Sequence, residues 1–338
     1  MLTTLLSLAL RQDSQQTIVT APRAAEVATT TAASTQTITA EELERTGEHS
    51  LPRALARTSG LFVQETNMGG GAPILRGMIG NQILIVVDGV RLNDATTRSG
   101  PNQSLNGIDT ATVERVEVIR GPVSVLYGSD ALGGVILIWT KTRAPLSRDA
   151  VSDDARRLRA QLDGEYVSVN DGWRGSLGTS MAWENDGVLA IGSLQEWGDV
   201  EAASGTVDNT GYNGQAWFGS WEHALGAKRG LRFSASRTRD FDVPRTDRMN
   251  AGFGQTNPSD DEHFFTLQDR ERYQLTYTDT EAGFTDGMQV RASLRRYDEK
   301  RRIRARNSTT RRLEQDVTDT LGLGADWTKA LGDTHLLT

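Results

Sequence analysis

Apolar and polar residues alternate with a period of two through most of the chain after residue 150. The alternation is clearest in the segments 231–235, 272–278, 288–295 and 321–328, where arginine recurs at the polar positions. A period of two is typical of a β-strand with one apolar and one polar face. We therefore predict eight strands, at residues 158–169, 173–183, 188–197, 211–223, 231–240, 272–279, 288–304 and 312–328, and the start of a ninth at residue 335.

The connections between these strands are alternately short and long. The short ones are 184–187, 224–229, 280–287 and 329–334; the long ones are 198–210, 241–271 and, less clearly, 305–311, with 170–172 as a short exception. Polar long loops on one rim are typical of an outer-membrane β-barrel, whereas a soluble sandwich shares only the alternation. Six of the seven tryptophans follow residue 150, which also favours the barrel.

The pattern before residue 145 predicts a small α/β unit. Thr39 to Glu42 form a capping box for a short helix that Gly47 ends, and Ser50 caps a second helix that stops before Gly60. Strands are predicted at 83–87, 113–119 and 135–139. Asp88-Gly89 predicts a tight hairpin that returns through 90–92.

Composition excludes several classes of protein. The 338 residues include no cysteine, carry a net charge of −7 and have a mean hydropathy of −0.44. These values exclude a transmembrane-helix protein and a disulfide scaffold, and they disfavour nucleic acid as a partner. The four histidines are scattered and no nucleophile motif or nucleotide loop is present, so we predict no enzyme, catalytic residue, cofactor or metal site. The acidic run 260–262 is interpreted as a solvated loop tip.

Four motifs occur in order: Ile74 to Gly77, Ile83 to Leu92, Val113 to Pro122 and Tyr127 to Ile136. Together they resemble the plug domain of TonB-dependent outer-membrane receptors, although Leu137 and Trp139 depart from the family's final plug strand. The resemblance assigns motif roles to Asp88, Gly89, Pro122, Tyr127, Gly128, Gly133 and Gly134. It implies an α+β plug domain followed by antiparallel transmembrane β-barrel strands, with the barrel incomplete in this chain.

The resemblance also divides the chain. Residues 36–143 are expected to form the plug and 151–338 the first part of the barrel. Residues 17–35 are expected to hold a mobile tether and, at Thr17, Ile18, Val19, Thr20 and Ala21, the TonB box. An extended β-branched segment of this kind suits strand addition to the protein TonB. For residues 1–16 the signal-peptide and non-signal readings both stay open.

Further site residues follow from the resemblance. Arg76-Gly77 and Arg120-Gly121 are expected to lock the plug by pairing with barrel glutamates, because guanidinium binds carboxylate bidentately. Ligand contacts are expected from the apical plug loops and from the barrel loops 198–210 and 241–271. The plug candidates are Asn67, Met68, Gly69, Arg98, Asn102 and Gln103.

The implied function is energy-coupled import of a scarce ligand such as a ferric siderophore, cobalamin or haem. The expected partners are TonB with its inner-membrane energising complex, outer-membrane lipid and a small metal chelate. A 22-stranded barrel needs about 200–240 residues in strands alone, and 188 follow residue 150. We therefore expect a fragment of a longer receptor. An energy-independent surface receptor or adhesion barrel and a non-functional remnant stay open as alternatives.

Overall fold

A computed structural model describes two groups of elements, a mixed α/β domain and a long antiparallel sheet. The described residues are 18–19, 26–27, 34–48, 50–67, 69–93, 104–143, 158–252, 254–281, 283, 285–331 and 335–337. We call the domain up to residue 143 the plug, and the long sheet from residue 159 the barrel wall.

The plug is built on a five-stranded sheet in the order β3-β9-β10-β7-β8 and a three-stranded sheet β4-β5-β6. Its strands are β1 (Ile18–Val19), β2 (Glu26–Val27), β3 (Ser34–Thr39), β4 (Leu61–Asn67), β5 (Gly70–Leu75), β6 (Met78–Ile79), β7 (Ile83–Val87), β8 (Val90–Arg91), β9 (Val113–Arg120) and β10 (Gly134–Thr140). Its α-helices are α1 (Ala40–Thr46), α2 (Leu51–Ala56) and α3 (Ser124–Tyr127), and its 3-10 turns are Gly80–Gln82, Ser104–Gly107 and Thr110–Thr112. Strand β10 is parallel to β7 and antiparallel to β9, so the three predicted strands form the centre of the sheet.

The plug core lies on both faces of the five-stranded sheet. One face packs with the helices α1 and α2 through residues such as Leu51, Leu55 and Ile85. The other face forms a smaller cluster around Ile119 and Val135. Burial on both faces explains why β7 and β10 are continuous apolar runs and do not alternate.

The predicted helix caps are confirmed in part. Thr39 forms the complete capping box with Glu42, and Gly47 ends α1 in the left-handed conformation at φ 61°. Ser50 lies at the N-cap of α2 but its side chain makes no capping hydrogen bond, and α2 ends at Ala56 with Arg57 as its C-cap. Ser50 is thus the N-cap as predicted, without a side-chain bond, since Pro52 in the first turn removes one of the donors that the side chain would satisfy. The predicted stop at Gly60 was wrong, because the helix already ends at Ala56.

The barrel wall is an open sheet of nine strands in which each main strand pairs with the next along the chain. These strands are β11 (Arg159–Val167), β12 (Gly172–Ala182), β13 (Asp186–Trp197), β16 (Tyr212–Ala224), β17 (Arg229–Pro244), β18 (Asp260–Asp279), β19 (Gly287–Ala305), β20 (Arg312–Leu331) and β21 (His335–Leu337). A separate hairpin, β14 (Val200–Ala202) with β15 (Gly205–Val207), lies within the predicted loop 198–210, and a short helix α4 (Thr246–Met249) follows β17. The eight predicted strands and the start of the ninth are all present.

The predicted long loop 241–271 was too long. Strand β17 continues to Pro244 and β18 begins at Asp260, so the connection covers only 245–259. Two register shifts, at Asp260/Glu262 and at Phe265/Leu267, interrupt the period of two and hid this part of the strand from the pattern. The acidic run 260–262 is likewise not a solvated tip, because Glu262 accepts hydrogen bonds from Arg304 at 3.0 Å and Arg311 at 2.7 Å.

The two faces of the barrel wall differ in chemistry. The outward face exposes large apolar side chains, among them Leu177, Trp217 and Leu323. The inward face holds the plug, and the arginines of the alternating segments lie on it: Arg232, Arg272, Arg291 and Arg295. In the part of the chain that the structure describes, no helix is long and apolar enough to cross a membrane.

Candidate functional site at the plug–barrel interface

The hairpin turn at Asp88 connects the plug sheet to the barrel wall. Asp88 and Gly89 adopt φ angles of 49° and 81°, as the predicted tight turn requires. The Asp88 carboxylate accepts hydrogen bonds from the backbone N–H of Thr140 at 2.9 Å and from its hydroxyl at 2.7 Å. The Asp88 carbonyl accepts a hydrogen bond from the Gln274 amide of β18 at 2.9 Å. The turn is therefore fixed to the plug on one side and to the wall on the other.

Four arginines of the wall converge on this turn, and their contacts differ. Arg232 lies 3.6 Å and Arg272 lies 3.9 Å from the Asp88 carboxylate. Arg295 donates to the Leu92 carbonyl at 2.9 Å. The fourth, Arg291, covers Gly89 so closely that a Cβ there would lie 2.8 Å from its Nε. The left-handed φ of 81° favours glycine at position 89, and a Cβ there would also displace the end of the Arg291 side chain.

A second carboxylate, Asp109, connects the plug to the wall from the 104–112 segment. Its side chain accepts from the backbone N–H of Ala111 at 3.0 Å and from the wall residues Arg174 and Ser193. The Thr238 hydroxyl donates to the Gly107 carbonyl at 3.0 Å. Asp109 was not predicted from the sequence, since a lone aspartate before a threonine carries no motif.

The loop between β4 and β5 meets the loop-side end of the wall. A Cβ on Gly69 would lie 3.0 Å from Val243 and 3.2 Å from Tyr212. Tyr212 and Val243 belong to a buried cluster with Trp197 and Phe265. This contact places the predicted ligand residue Gly69 toward the rim that carries the long loops.

The other predicted ligand residues have different outcomes. Asn67 is buried, and its side-chain amide makes no hydrogen bond within the described residues. Met68, Arg98, Asn102 and Gln103 lie outside the described residues. Their proposed ligand contacts stay predictions.

The two predicted locking arginines lie side by side in the plug. The Arg76 guanidinium faces Gly121, where a Cβ would meet its Nη1 at 3.0 Å, and Arg120 donates to the Gln36 amide oxygen. Burial and the positive charge of Arg76 lower the pKa of Arg120. Within the described residues neither arginine forms an ion pair, so the predicted pairing with barrel glutamates stays a prediction.

The glycines of the last plug motif permit close packing. A Cβ on Gly134, at φ 154°, would lie 2.3 Å from the Ile119 carbonyl oxygen, and one on Gly133 would lie 2.8 Å from Met78. Pro122 precedes α3, which ends at Tyr127, and Gly128 is its C-cap at φ 93°. The motif is therefore explained by the packing of β10 against β9 and β6.

The predicted TonB box is described in part. Ile18 and Val19 form β1, which pairs antiparallel with β2 through Ile18 opposite Val27 and Val19 opposite Glu26. Thr17, Thr20 and Ala21 lie outside the described residues, as do residues 1–16.

Among the described residues no cluster of three metal-ligating side chains occurs.

Comparison with known proteins agrees with this architecture. Residues 27–135 match the family model of the TonB-dependent receptor plug domain. The vitamin B12 transporter BtuB of Vibrio vulnificus (strain CMCP6) is 33% identical over 218 residues, which cover 63% of this chain and 33% of the transporter. The BtuB protein of Vibrio cholerae (serotype O1, strain M66-2) is 33% identical over 206 residues, which cover 60% of this chain and 29% of the transporter. The chain thus spans about a third of the length of these curated relatives.

Solved structures show the same fold. The siderophore receptor PirA from Acinetobacter baumannii matches with a TM-score of 0.65 and 16% identity, over 87% of this chain and 45% of that chain. The copper transporter OprC matches with a TM-score of 0.69 and 18% identity, over 87% and 43%.

The fold and the interface define an outer-membrane protein in which a plug domain is seated against the inner face of a β-barrel wall. Residues 27–135 match the plug domain of TonB-dependent receptors, and the chain as a whole is similar to the plug and part of the barrel of such receptors. The barrel is open in the part described, as predicted. The matched relatives are transporters and receptors, which fits the prediction that the chain is not an enzyme.

Proposed function

We propose that the chain is the plug and first barrel strands of a transporter that imports a scarce ligand with energy supplied through TonB. The seating of the plug on the wall carries this proposal. Asp88 and Asp109 both connect the plug to wall arginines and polar side chains. Such an interface can be rearranged by a pull on the plug, since polar contacts can exchange with water in a hydrated lumen. The family match and the relatives support the same function.

The TonB contact is proposed at residues 17–21. Ile18 and Val19 already adopt an extended conformation and pair with Glu26 and Val27. An extended segment can add to the edge of a partner's sheet through its backbone N–H and C=O groups. This mode transmits force along the chain and needs no deep pocket.

Substitution by proline tests the TonB contact, because proline removes the backbone donor. In the complete receptor, Ile18→Pro should abolish energy-dependent ligand uptake and leave ligand binding at the cell surface unchanged. Val27→Pro, on the opposite strand of the same hairpin, should leave uptake close to the unsubstituted level. Uptake that survives Ile18→Pro, or that both substitutions abolish equally, would contradict the proposed site.

The proposed ligand is a metal chelate, and cobalamin is the first to test. The two relatives with 33% identity are named vitamin B12 transporters, whereas the siderophore and copper proteins share the fold at 16–18% identity. Uptake of labelled cobalamin, of a ferric siderophore and of haem by cells that carry the complete receptor decides among the three. Dissipation of the proton-motive force should stop uptake but not binding, which separates the transporter from an energy-independent surface receptor.

The plug lock is proposed at Arg76 and Arg120. Arg76 is exposed and Arg120 is half-buried in the described structure, and the two adjacent guanidinium groups repel each other. Barrel carboxylates beyond the described strands are proposed to supply their counter-charge. Arg120→Gln in the complete receptor should raise its ion conductance in a planar bilayer several-fold. Arg45→Gln, at an exposed ion pair of α1, should leave conductance unchanged. Equal conductance in both variants would exclude a locking role for Arg120.

A further inference from the structure

The inward face of β17, β18 and β19 carries four arginines in two rows. Residues directly opposite each other on adjacent strands share a face of the sheet. Arg272 of β18 lies opposite Arg295 of β19, and Thr276 of β18 lies between Arg232 of β17 and Arg291 of β19. The two rows are four residues apart, about 13 Å, and β17 and β19 are about 10 Å apart. We call these four arginines the arginine patch.

Short polar side chains form the floor of the arginine patch. Gln274 lies midway between the two rows, with Ser234 opposite it on β17 and Ser293 opposite it on β19, and all three are buried. The Gln274 amide nitrogen donates to the Asp88 carbonyl of the plug turn. In the described part of the chain the Gln274 amide oxygen has no hydrogen-bond partner. The patch is therefore a polar recess in the wall, and the plug turn is seated in it.

A plug residue supplies the negative charge of this recess. The side chains of Arg272 and Arg232 are 12% and 21% exposed, and both lie within ion-pair distance of the Asp88 carboxylate. Arg232 also has Glu222 at 3.8 Å, whereas Asp88 is the one carboxylate that pairs with Arg272 among the described residues. The Asp88 carboxylate takes its hydrogen bonds from Thr140, and Arg272 donates none within the described residues. The guanidinium donors of Arg272 are thus available to another acceptor.

The arginine patch lies toward the periplasmic end of the wall. Arg232 is the fourth residue of β17, which follows the short connection 225–228, and short turns of such barrels face the periplasm. A ligand that enters from outside therefore reaches the patch after the apical plug loops. Withdrawal of Asp88 leaves Arg272 without its counter-charge, which is unfavourable for a cation held mostly away from water. An anion that replaces the Asp88 carboxylate offsets this loss.

We propose that the arginine patch is a transit site for the imported ligand. A carboxylate or phosphate group of the ligand takes the place of the Asp88 carboxylate when the plug turn moves, because arginine binds both groups in a bidentate manner. Cobalamin carries a phosphodiester and haem carries propionates, so each presents a suitable group. The inference rests on the proposed import but not on the identity of the ligand. Dissolved anions of the periplasm offer the same chemistry, and uptake kinetics separate the two sources.

Replacement of the Asp88 side chain by a dissolved anion tests whether the recess accepts one. Asp88→Gly tolerates the φ of 49° and removes a group that acetate reproduces. In the complete receptor, sodium acetate should raise the denaturant midpoint of plug unfolding of Asp88→Gly above its value in sodium chloride of equal ionic strength. Acetate should not raise the midpoint of the unsubstituted receptor or of Asp88→Gly combined with Arg272→Gln. Equal midpoints of Asp88→Gly in acetate and chloride overturn the proposal.

Uptake kinetics test whether the ligand itself uses the recess. The probe is whichever of labelled cyanocobalamin, haem or a ferric siderophore the unsubstituted receptor imports. Arg272→Gln should lower the maximal rate of uptake about tenfold, the value of one charge-assisted hydrogen bond. The Kd for the ligand at the cell surface should stay the same, since capture precedes the patch. Arg272→Lys keeps the positive charge and should restore most of the rate.

Arg296→Gln is the matched control, because Arg296 lies next to Arg295 on β19 but pairs with Asp319 on the outward face. It should change neither the maximal rate nor the surface Kd, and circular dichroism confirms the β-sheet content of each variant. A seat that is merely loosened raises the passive ion conductance and does not slow uptake.

The outcomes separate the transit site from the proposed import. An unchanged maximal rate in Arg272→Gln overturns the transit site, and rescue by acetate would then assign the recess to dissolved anions alone. No uptake of any probe by the unsubstituted receptor contradicts the proposed import and the transit site with it.

Discussion

The carboxylate of Asp88 lies 3.6 Å from the guanidinium of Arg232, and this pair joins a plug turn to the barrel wall. Asp88 is 5% exposed, and Arg272 approaches the same carboxylate at 3.9 Å. One buried carboxylate therefore offsets two guanidinium groups of adjacent strands. The loss of this charge is the most direct way to loosen the plug without a change in its backbone.

Asp88→Asn should destabilise the seated plug by about 3 kcal/mol, because it leaves the half-buried Arg272 without its counter-charge and Arg232 with only Glu222, at 3.8 Å. Asparagine tolerates the positive φ of the turn, so the effect reports the charge and not the backbone. The measurement is the denaturant midpoint of plug unfolding in the complete receptor. Asp130→Asn, at the more exposed pair with Arg91, should cost less than about 1 kcal/mol. If Asp88→Asn and Asp130→Asn lowered the stability of the plug equally, the charge of Asp88 would not be what holds the plug on the wall.

Gly134→Ala should prevent normal packing of β10. A Cβ would lie 2.3 Å from the Ile119 carbonyl oxygen, and the φ of 154° adds backbone strain, so we expect a loss of about 3 kcal/mol or more. Gly77→Ala is the matched control, since Gly77 has a φ of 77° but open space around its Cβ position; it should cost about 1 kcal/mol. The measurement is the thermal unfolding temperature of each variant. Gly134→Ala reports the steric clash together with the backbone strain, whereas Gly77→Ala reports the backbone strain alone.

The loop at Asp199 should lose its order in acid. Burial alone would raise the pKa of Asp199, but hydrogen bonds from the backbone N–H groups of Thr210 and Gly211 outweigh it and lower that pKa. A carboxyl whose pKa is lowered by folding stabilises the fold above its unfolded pKa of about 3.9, and this contribution is lost as the pH falls through the folded pKa. Hydrogen exchange at the Thr210 and Gly211 amides should therefore accelerate below about pH 4. Asp199→Asn should remove most of this dependence on pH.

The two helix starts of the plug should respond differently to alanine. Thr39 exchanges hydrogen bonds with Glu42 in a complete capping box, so Thr39→Ala should cost about 1 kcal/mol. Ser50 makes no capping bond with its side chain, so Ser50→Ala should cost less than about 0.5 kcal/mol. Both values follow from the shift of the plug's denaturant transition. A cost at Ser50 that equals the cost at Thr39 would contradict the assignment of these caps.

The plug was predictable wherever its signals are local. The capping box at Thr39 and the turn at Asp88 and Gly89 depend on neighbouring residues, and both are confirmed. The ends of the wall strands were harder to predict from the sequence, because the register shifts near Phe265 depend on the pairing of β18 with β19. Sheet β4-β5-β6 was not predicted as a sheet, since its strands contain Gly70, Gly71 and Pro73, which strand patterns normally exclude.

The sequence by itself determined the order of the motifs, the period of two and the family that they resemble, because each is carried by residues close together in the chain. Only the tertiary structure decided which wall residues meet the plug and which face the membrane. Gln274 bonds to Asp88 across 186 residues, and no local pattern encodes that contact. The alternation of apolar and polar residues shows that each wall strand has two different faces. The position of the plug against the wall decides which of the two faces is the inner one.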